Sequence, residues 1–310
     1  MVELLWMLLV MVVFITVLLI FFPAIFGRFV YKFMTSLEAK IYGLHKNSVD
    51  IGEMNISLLQ NNSPEMPTIV MLHGFSSDKI IWSRFARFFT NQFNVVIPDM
   101  AGHGDTSFDK SWDYSAPAQA ERIAKLLEKL QLEKVHLVGN SMGGFISVHF
   151  GKMYPERTLS LMLIDPAGVM SPKASDMDKM LEQSKNPFEV NNRAEFDEFY
   201  AMIMAKPPWF PHFVFAALSE QYQQRKAELM HMFTDFHGKF MLDSSLDSIK
   251  APTLLLWGEK DRLIHVESVN VWQQGIADIT VKTWPNIGHM PMFEIPQKSA
   301  KECLDFIKKI

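Results

Sequence analysis

The sequence predicts an α/β protein: a mostly parallel sheet with helices on both faces, a helical cap inserted between two strands, and an apolar transmembrane helix ahead of the sheet. Three patterns carry that expectation. From Met54 onward, short apolar and β-branched runs alternate with helical stretches, the rhythm of parallel strands joined by crossover helices. From about Val169 to Leu242 the rhythm stops, and helical pieces, prolines, methionines and aromatics take its place. At the start, Leu4 to Phe26 carries no charge and as a helix is long enough to cross a hydrocarbon core of roughly 30 Å.

The elements follow in order. The run Leu4 to Phe26 is read as an anchor and not a cleaved signal, because it is too long, its start is not basic, and no small-residue cleavage site follows. Arg28, Lys32, Lys40 and Lys46 follow it while Glu3 precedes it, so the rest of the chain is expected on the cytoplasmic side. Phe29 to Leu44 has apolar residues at helical spacing among basic and polar ones, which fits either a helix at the headgroup boundary or an ordinary packing helix. Strands are expected at Thr68–Leu72, Val95–Pro98, Val135–Val138, Leu159–Ile164, Thr253–Trp257 and Ile279–Trp284, with helices over Ile81–Thr90, Ala116–Leu130, Met142–Tyr154, Val266–Ile276 and Gln297–Lys309. The division expected is an anchor over 1–27, a juxtamembrane helix over 28–50, a core over 51–168 and 243–310, and a cap over 169–242.

With 48% hydrophobic and 21% charged residues in 310, the chain can bury a sizeable core. Its net charge of -4, with interspersed signs, supplies no basic stripe to neutralise phosphates, which excludes nucleic acid as a partner. The single cysteine, Cys303, cannot form an internal disulfide and is expected as a buried thiol in the last helix.

The chemistry concentrates at Val135 to Gly144, where a strand runs into Gly139-Asn140-Ser141-Met142-Gly143 and then a helix. A serine on a sharp strand-to-helix turn is strained and exposes its hydroxyl, and only small residues two before and two after it leave room for the turn. The bare G-x-S-x-G pattern is weak; its flanking strand and helix make it specific. A serine hydroxyl needs a base, itself oriented by a carboxylate. Asp261, just past the strand Thr253–Trp257, and His289, past the last strand, supply them in the order Ser, Asp, His and at the carboxyl ends of strands. Asp165 is a rival acid, and His103 and His265 are rival bases. No H-E-x-x-H or paired C-x-x-C spacing points to a metal, and the chemistry needs no cofactor. The oxyanion made by attack requires N–H donors, assigned by position to the backbone of Met142 and of Phe75.

Together MLHGF, PDMAGHGDTS, HLVGNSMGG, LIDPAGV, PTLLLWGEKDRLI and NIGHMPMFE resemble the lipases of the α/β-hydrolase fold, over nearly the whole chain after the anchor. The anchor with HLVG-x-SMGG and PAG is similar to the single-pass monoacylglycerol lipases of the abhydrolase-domain group. The segment from Asn186-Pro187-Phe188 to Pro211 is more similar to the bacterial family V lipases. The resemblance implies an eight-stranded sheet, Ser141 as nucleophile, Asp261 and His289 as its partners, and Phe75 with Met142 at the oxyanion hole. Carbon–carbon bond hydrolases share the G-N-S-M-G-G elbow but typically place an aromatic after the catalytic histidine, where Met290 and Pro291 stand here. A non-catalytic lipid-binding scaffold would have no need of the strained serine.

The strandless interval contributes Met177, Phe188, Phe199, Met202, Trp209 and Phe233, among others, to an apolar cap. Part of this set is expected to pack the cap on the core. The remainder suits a flexible acyl chain, since methionine fills irregular space. The expected reaction is hydrolysis of a membrane-derived lipid ester, a monoacylglycerol or similar short glyceride, through an acyl-Ser141 intermediate.

Overall fold

The computed structural model describes residues 2–310, apart from the side chains of residues 2, 14, 15 and 17–21. Two helices open the chain, α1 (Val2–Phe21) and α2 (Pro23–Ile41). There follow β1 (His45–Asp50), β2 (Asn55–Gln60), β3 (Thr68–Leu72), the short α3 (Ser83–Ala86), β4 (Asn94–Pro98), α4 (Ala116–Lys129), β5 (Val135–Asn140), α5 (Met142–Met153) and β6 (Thr158–Ile164). Four helices then run without a strand: α6 (Asp176–Glu182), α7 (Arg193–Ile203), α8 (His212–Gln224) and α9 (Lys226–Phe236). The chain returns to the sheet with β7 (Thr253–Gly258), α10 (Ser268–Gly275) and β8 (Ile279–Trp284), and closes with α11 (Pro291–Glu294) and α12 (Pro296–Ile307).

Among the described residues the strands form one eight-stranded sheet in the order β1-β2-β4-β3-β5-β6-β7-β8. From β4 to β8 it is parallel, while β2 runs antiparallel to both β1 and β4. The central strands are apolar on both faces because helices cover both. Alternation along β3 sends Ile69 and Met71 to one side, with Trp82, Phe85 and Phe89 and the α12 residues Cys303 and Phe306, and sends Val70 and Leu72 to the other, with α4 and α5. Cys303 is fully buried, and burial pushes its thiol pKa up.

Local chemistry starts the helices. Ser115 accepts from the Ala118 N–H ahead of α4, Ser175 and Asp178 form a reciprocal capping box at α6, and Asn192 caps α7. Their burial follows amphipathic spacing: Phe196, Phe199 and Met202 are the buried residues of α7.

Several expectations are corrected. The single span from Leu4 to Phe26 is not found as one helix, since α1 ends at Phe21 and α2 starts at Pro23. A proline within a helix lacks the N–H donor and clashes with the carbonyl four residues back, so the helix restarts there. Among the described residues no helix is long and apolar enough to cross a membrane. The side chains at 14, 15 and 17–21 of the expected span lie outside the described ones. The helix expected over 28–50 ends at Ile41, with Gly43 in the left-handed region at φ 76°, and 45–50 forms β1. Strands β1 and β2 had no sequence reading: HKNSVD lies exposed on the sheet edge and shows no apolar alternation. In place of a helix over Ile81–Thr90 there is a 3₁₀ turn (Lys79–Trp82) and the short α3. Packing of the buried Trp82, Phe85 and Phe89 sets the path there.

Candidate active site

Ser141 occupies the turn between β5 and α5 with φ 55° and ψ -118°, a region a residue with a Cβ enters only at a cost of about 1–3 kcal/mol. The neighbouring glycines are required by the turn. A Cβ on Gly143 would sit against the carbonyl oxygen of Leu72, and one on Gly139 against that of Gly143. The turn is held on both sides: the Ser141 N–H donates to the Ile164 carbonyl at 3.0 Å, and the Ser141 carbonyl accepts from the N–H groups of Phe145 and Ala167, each at 3.1 Å.

The loop after β7 carries Asp261 and the loop after β8 carries His289, both buried. His289 Nδ1 lies 2.6 Å from Asp261 Oδ2. A carboxylate only accepts, so Nδ1 donates and Nε2 keeps a lone pair. Asp261 is itself oriented by the N–H groups of Leu263 (2.8 Å) and Ile264 (3.0 Å), which donate to Oδ1. Asn140, next to the serine, donates to the carbonyls of His289 (3.0 Å) and Ile164 (3.1 Å) and so ties the histidine loop to the elbow.

Ser141 and His289 line one cavity of about 240 Å³ with Gly74, Phe75 and the aromatics Phe188, Phe199, Tyr200 and Phe210 from the helical insertion. Residues Tyr31, Thr35 and Glu38 of α2 form another part of its wall. Helix α2 docks on α8: a Cβ on Gly27 would meet the Phe213 carbonyl oxygen, Phe26 packs edge-on against Phe213 (5.3 Å), and Arg28 pairs with Glu220 at 3.3 Å.

The structure therefore brings together Ser141, Asp261, His289 and Phe75, with Met142 buried at the first position of α5. Its treatment of the rivals differs. His103 is buried against the Phe75 ring (5.6 Å), outside the cavity lining, and burial holds its pKa well below the usual histidine value. His265 lies in a second cleft with Lys260, Asp261 and Arg262 and does not line the cavity of Ser141. Asp165 is fully buried close to Asp261 and His289, but the hydrogen bond to Nδ1 is made by Asp261.

Two supporting residues had no sequence reading. His73 Nδ1 donates to the Gly74 carbonyl at 2.8 Å while Nε2 accepts from the Met100 N–H at 3.0 Å, fixing the Gly74–Phe75 turn. Burial lowers its pKa, which keeps the ring neutral as both bonds require. Asn140 was visible only as the second residue of the elbow; its bond to His289 crosses a span of sequence that no local pattern reports. One atom each of Asp165, Asp261 and His289 lie within 4.8 Å of one another, near enough to hold a cation. The set is turned inward instead, because Asp261 accepts from two backbone N–H groups and from His289.

Residues 67–244 match the family model described as the alpha/beta hydrolase fold. Lipase 1 of Psychrobacter immobilis is 30% identical over 84% of this chain and 86% of its own length. Monoacylglycerol lipase ABHD6 of Mus musculus is 29% identical over 79% of this chain and 76% of its own. Among solved structures, a membrane phospholipase A described as a bacterial virulence factor superposes with a TM-score of 0.88 at 33% identity, over 100% of this chain and 99% of that one. The chain belongs to the α/β-hydrolase family, and the relatives it resembles there are bacterial lipases and monoacylglycerol lipases.

Proposed function

We propose that the chain is a serine hydrolase of lipid carboxylic esters, most specifically of monoacylglycerol or a similar short glyceride, working from a membrane. The observation that carries this reading is the Asp261–His289 hydrogen bond beside a strained Ser141 in an apolar cavity. His289 Nε2 takes the Ser141 hydroxyl proton as Oγ attacks the ester carbonyl carbon. The N–H groups of Met142 and Phe75 receive the oxyanion, each worth roughly 2.7–4 kcal/mol to the transition state. Collapse breaks the bond to the alcohol, which takes the proton from His289. Water then gives a proton to His289 and attacks the acyl-serine carbonyl, releasing the fatty acid and returning the proton to Oγ. Asp261 keeps the imidazole in the required tautomer throughout.

Membrane attachment rests on exposed apolar surface. Helix α1 exposes Leu4 to Val13. On α2, Ile25, Phe29, Phe33, Leu37 and Ile41 recur every fourth residue and are exposed, with Phe29 and Ile41 at 69% and 71%. Trp209, 84% exposed, adds the residue type favoured at headgroup level. On this reading the exposed apolar residues of α1 and α2 rest on the lipid surface, and the other face of α2 walls the cavity.

The experiment is hydrolysis of a chain-length series of p-nitrophenyl esters and monoacylglycerols by detergent-solubilised protein, with Ser141→Ala alongside. Cleavage that favours longer chains and disappears in the mutant is expected, together with loss of fluorophosphonate labelling. Labelling that persists in the folded mutant rejects Ser141 as nucleophile.

A further inference from the structure

The ends of β6 and β7 set a second carboxyl against the Asp261–His289 pair. Asp165 is fully buried, has a φ of 45°, and is fixed from both sides. Its N–H donates to the Leu256 carbonyl at 2.9 Å, and its Oδ1 accepts from the Gly258 N–H at 2.9 Å. Its other oxygen, Oδ2, is buried with no hydrogen-bond partner among the described residues. That is costly for an ionised carboxylate and natural for an O–H that points at an acceptor.

The nearby acceptor is Asp261, since the two carboxyls and His289 all offer an atom within 4.8 Å of one another. Two buried carboxylates this close do not both stay charged. Hydrogen bonding decides which one keeps the proton. Asp261 accepts from Leu263, Ile264 and His289, whereas Asp165 accepts from Gly258. The charge therefore belongs on Asp261.

We propose that Asp165 is a positioning residue that stays protonated and donates a hydrogen bond from its Oδ2–H to Asp261, holding that carboxylate in the geometry that orients His289. This rests on the reading of Asp261 and His289 as the acid and base of the hydrolase. Burial, and after it the charge of Asp261, push the Asp165 pKa well above the ordinary carboxylate range. The titratable groups facing it are Asp261, His289 and Glu294 of α11, whose charge pushes in the same direction. The arrangement leaves one negative charge beside the imidazole, so the imidazolium formed during catalysis is balanced by a single carboxylate.

The test uses the full-length detergent-solubilised protein with Asp165→Asn and Asp165→Ala. Two readouts are followed: the pH profile of kcat/KM on a p-nitrophenyl ester, and the infrared carbonyl stretch of protonated carboxylic acids at neutral pH. Asparagine supplies an N–H donor in place of the O–H, so Asp165→Asn is expected to stay within about threefold of the parent and to leave the acid limb in place. Asp165→Ala is expected to lose about tenfold or more in kcat with KM little changed. The parent should show a protonated-carboxyl band that Asp165→Asn lacks. In Asp261→Asn that band should move to higher frequency, since an amide oxygen accepts more weakly than a carboxylate. An acid limb displaced to lower pH in Asp165→Asn would mean that an ionised carboxylate had been removed, and would overturn the proposal. So would a band unchanged in both asparagine variants. A parent that cleaves no ester would reject the hydrolase reading, while the infrared band still decides the protonation of Asp165.

Discussion

Asn140 and His289 stand 149 positions apart, yet the Asn140 side-chain amide donates to the His289 carbonyl at 3.0 Å, so the residue beside the strained serine also holds the loop of the histidine. Asn140→Ala removes this bond and the one to Ile164 from a buried site. It is expected to cost about 1–3 kcal/mol of stability and to lower kcat about tenfold with a smaller change in KM. Urea denaturation and steady-state ester hydrolysis check the two parts separately.

Strain at Ser141 makes a second prediction. Its φ of 55° suits glycine, so Ser141→Gly should abolish turnover and raise stability by about 1 kcal/mol, whereas Ser141→Ala should abolish turnover without that gain. Thermal unfolding of the two inactive variants side by side separates the strain from the lost hydroxyl.

Buried histidines contribute to the loss of stability in acid. Burial lowers the pKa of His136 to about 4, and its Nδ1 is 2.8 Å from the Ser160 hydroxyl. The neutral ring is favoured by the fold, so its contribution is complete above the unfolded value of about 6.5 and is lost as pH falls toward 4, by up to about 3 kcal/mol. His136→Gln should flatten the fall in urea midpoint between pH 6.5 and 4 while lowering the plateau near neutrality. An unchanged slope would remove His136 as a cause.

The α2 stripe gives a prediction about substrate delivery. Phe29→Asp with Phe33→Asp alters two exposed side chains outside the cavity lining. Each loses roughly 2 kcal/mol of apolar transfer. Hydrolysis of monoacylglycerol in vesicles should fall at least about tenfold, with hydrolysis of a water-soluble p-nitrophenyl ester held within about twofold. An equal fall on both substrates would mean that the changes disturb the cavity and not the approach to lipid.

Much of this molecule is written locally. The strands β3 to β8 are short apolar runs bounded by turn residues, and such patterning is set by neighbours in sequence. The elbow is local as well: Gly139 and Gly143 are needed because a Cβ at either would strike backbone, a steric fact confined to one turn. The order of Ser141, Asp261 and His289, each past the end of a strand, followed from the same pattern. Tertiary contacts settled the rest. The edge strand β1 has no apolar alternation because one neighbour and solvent, not a core, surround it. Asp261, in the loop past β7, takes the histidine Nδ1, while Asp165, directly after β6, is held instead by the Gly258 N–H. Periodicity in the sequence thus determined strands β3 to β8 and the elbow, whereas β1 and β2, the pairing of acids and the docking of α2 across the cavity depend on contacts between segments far apart in the chain, which periodicity does not encode.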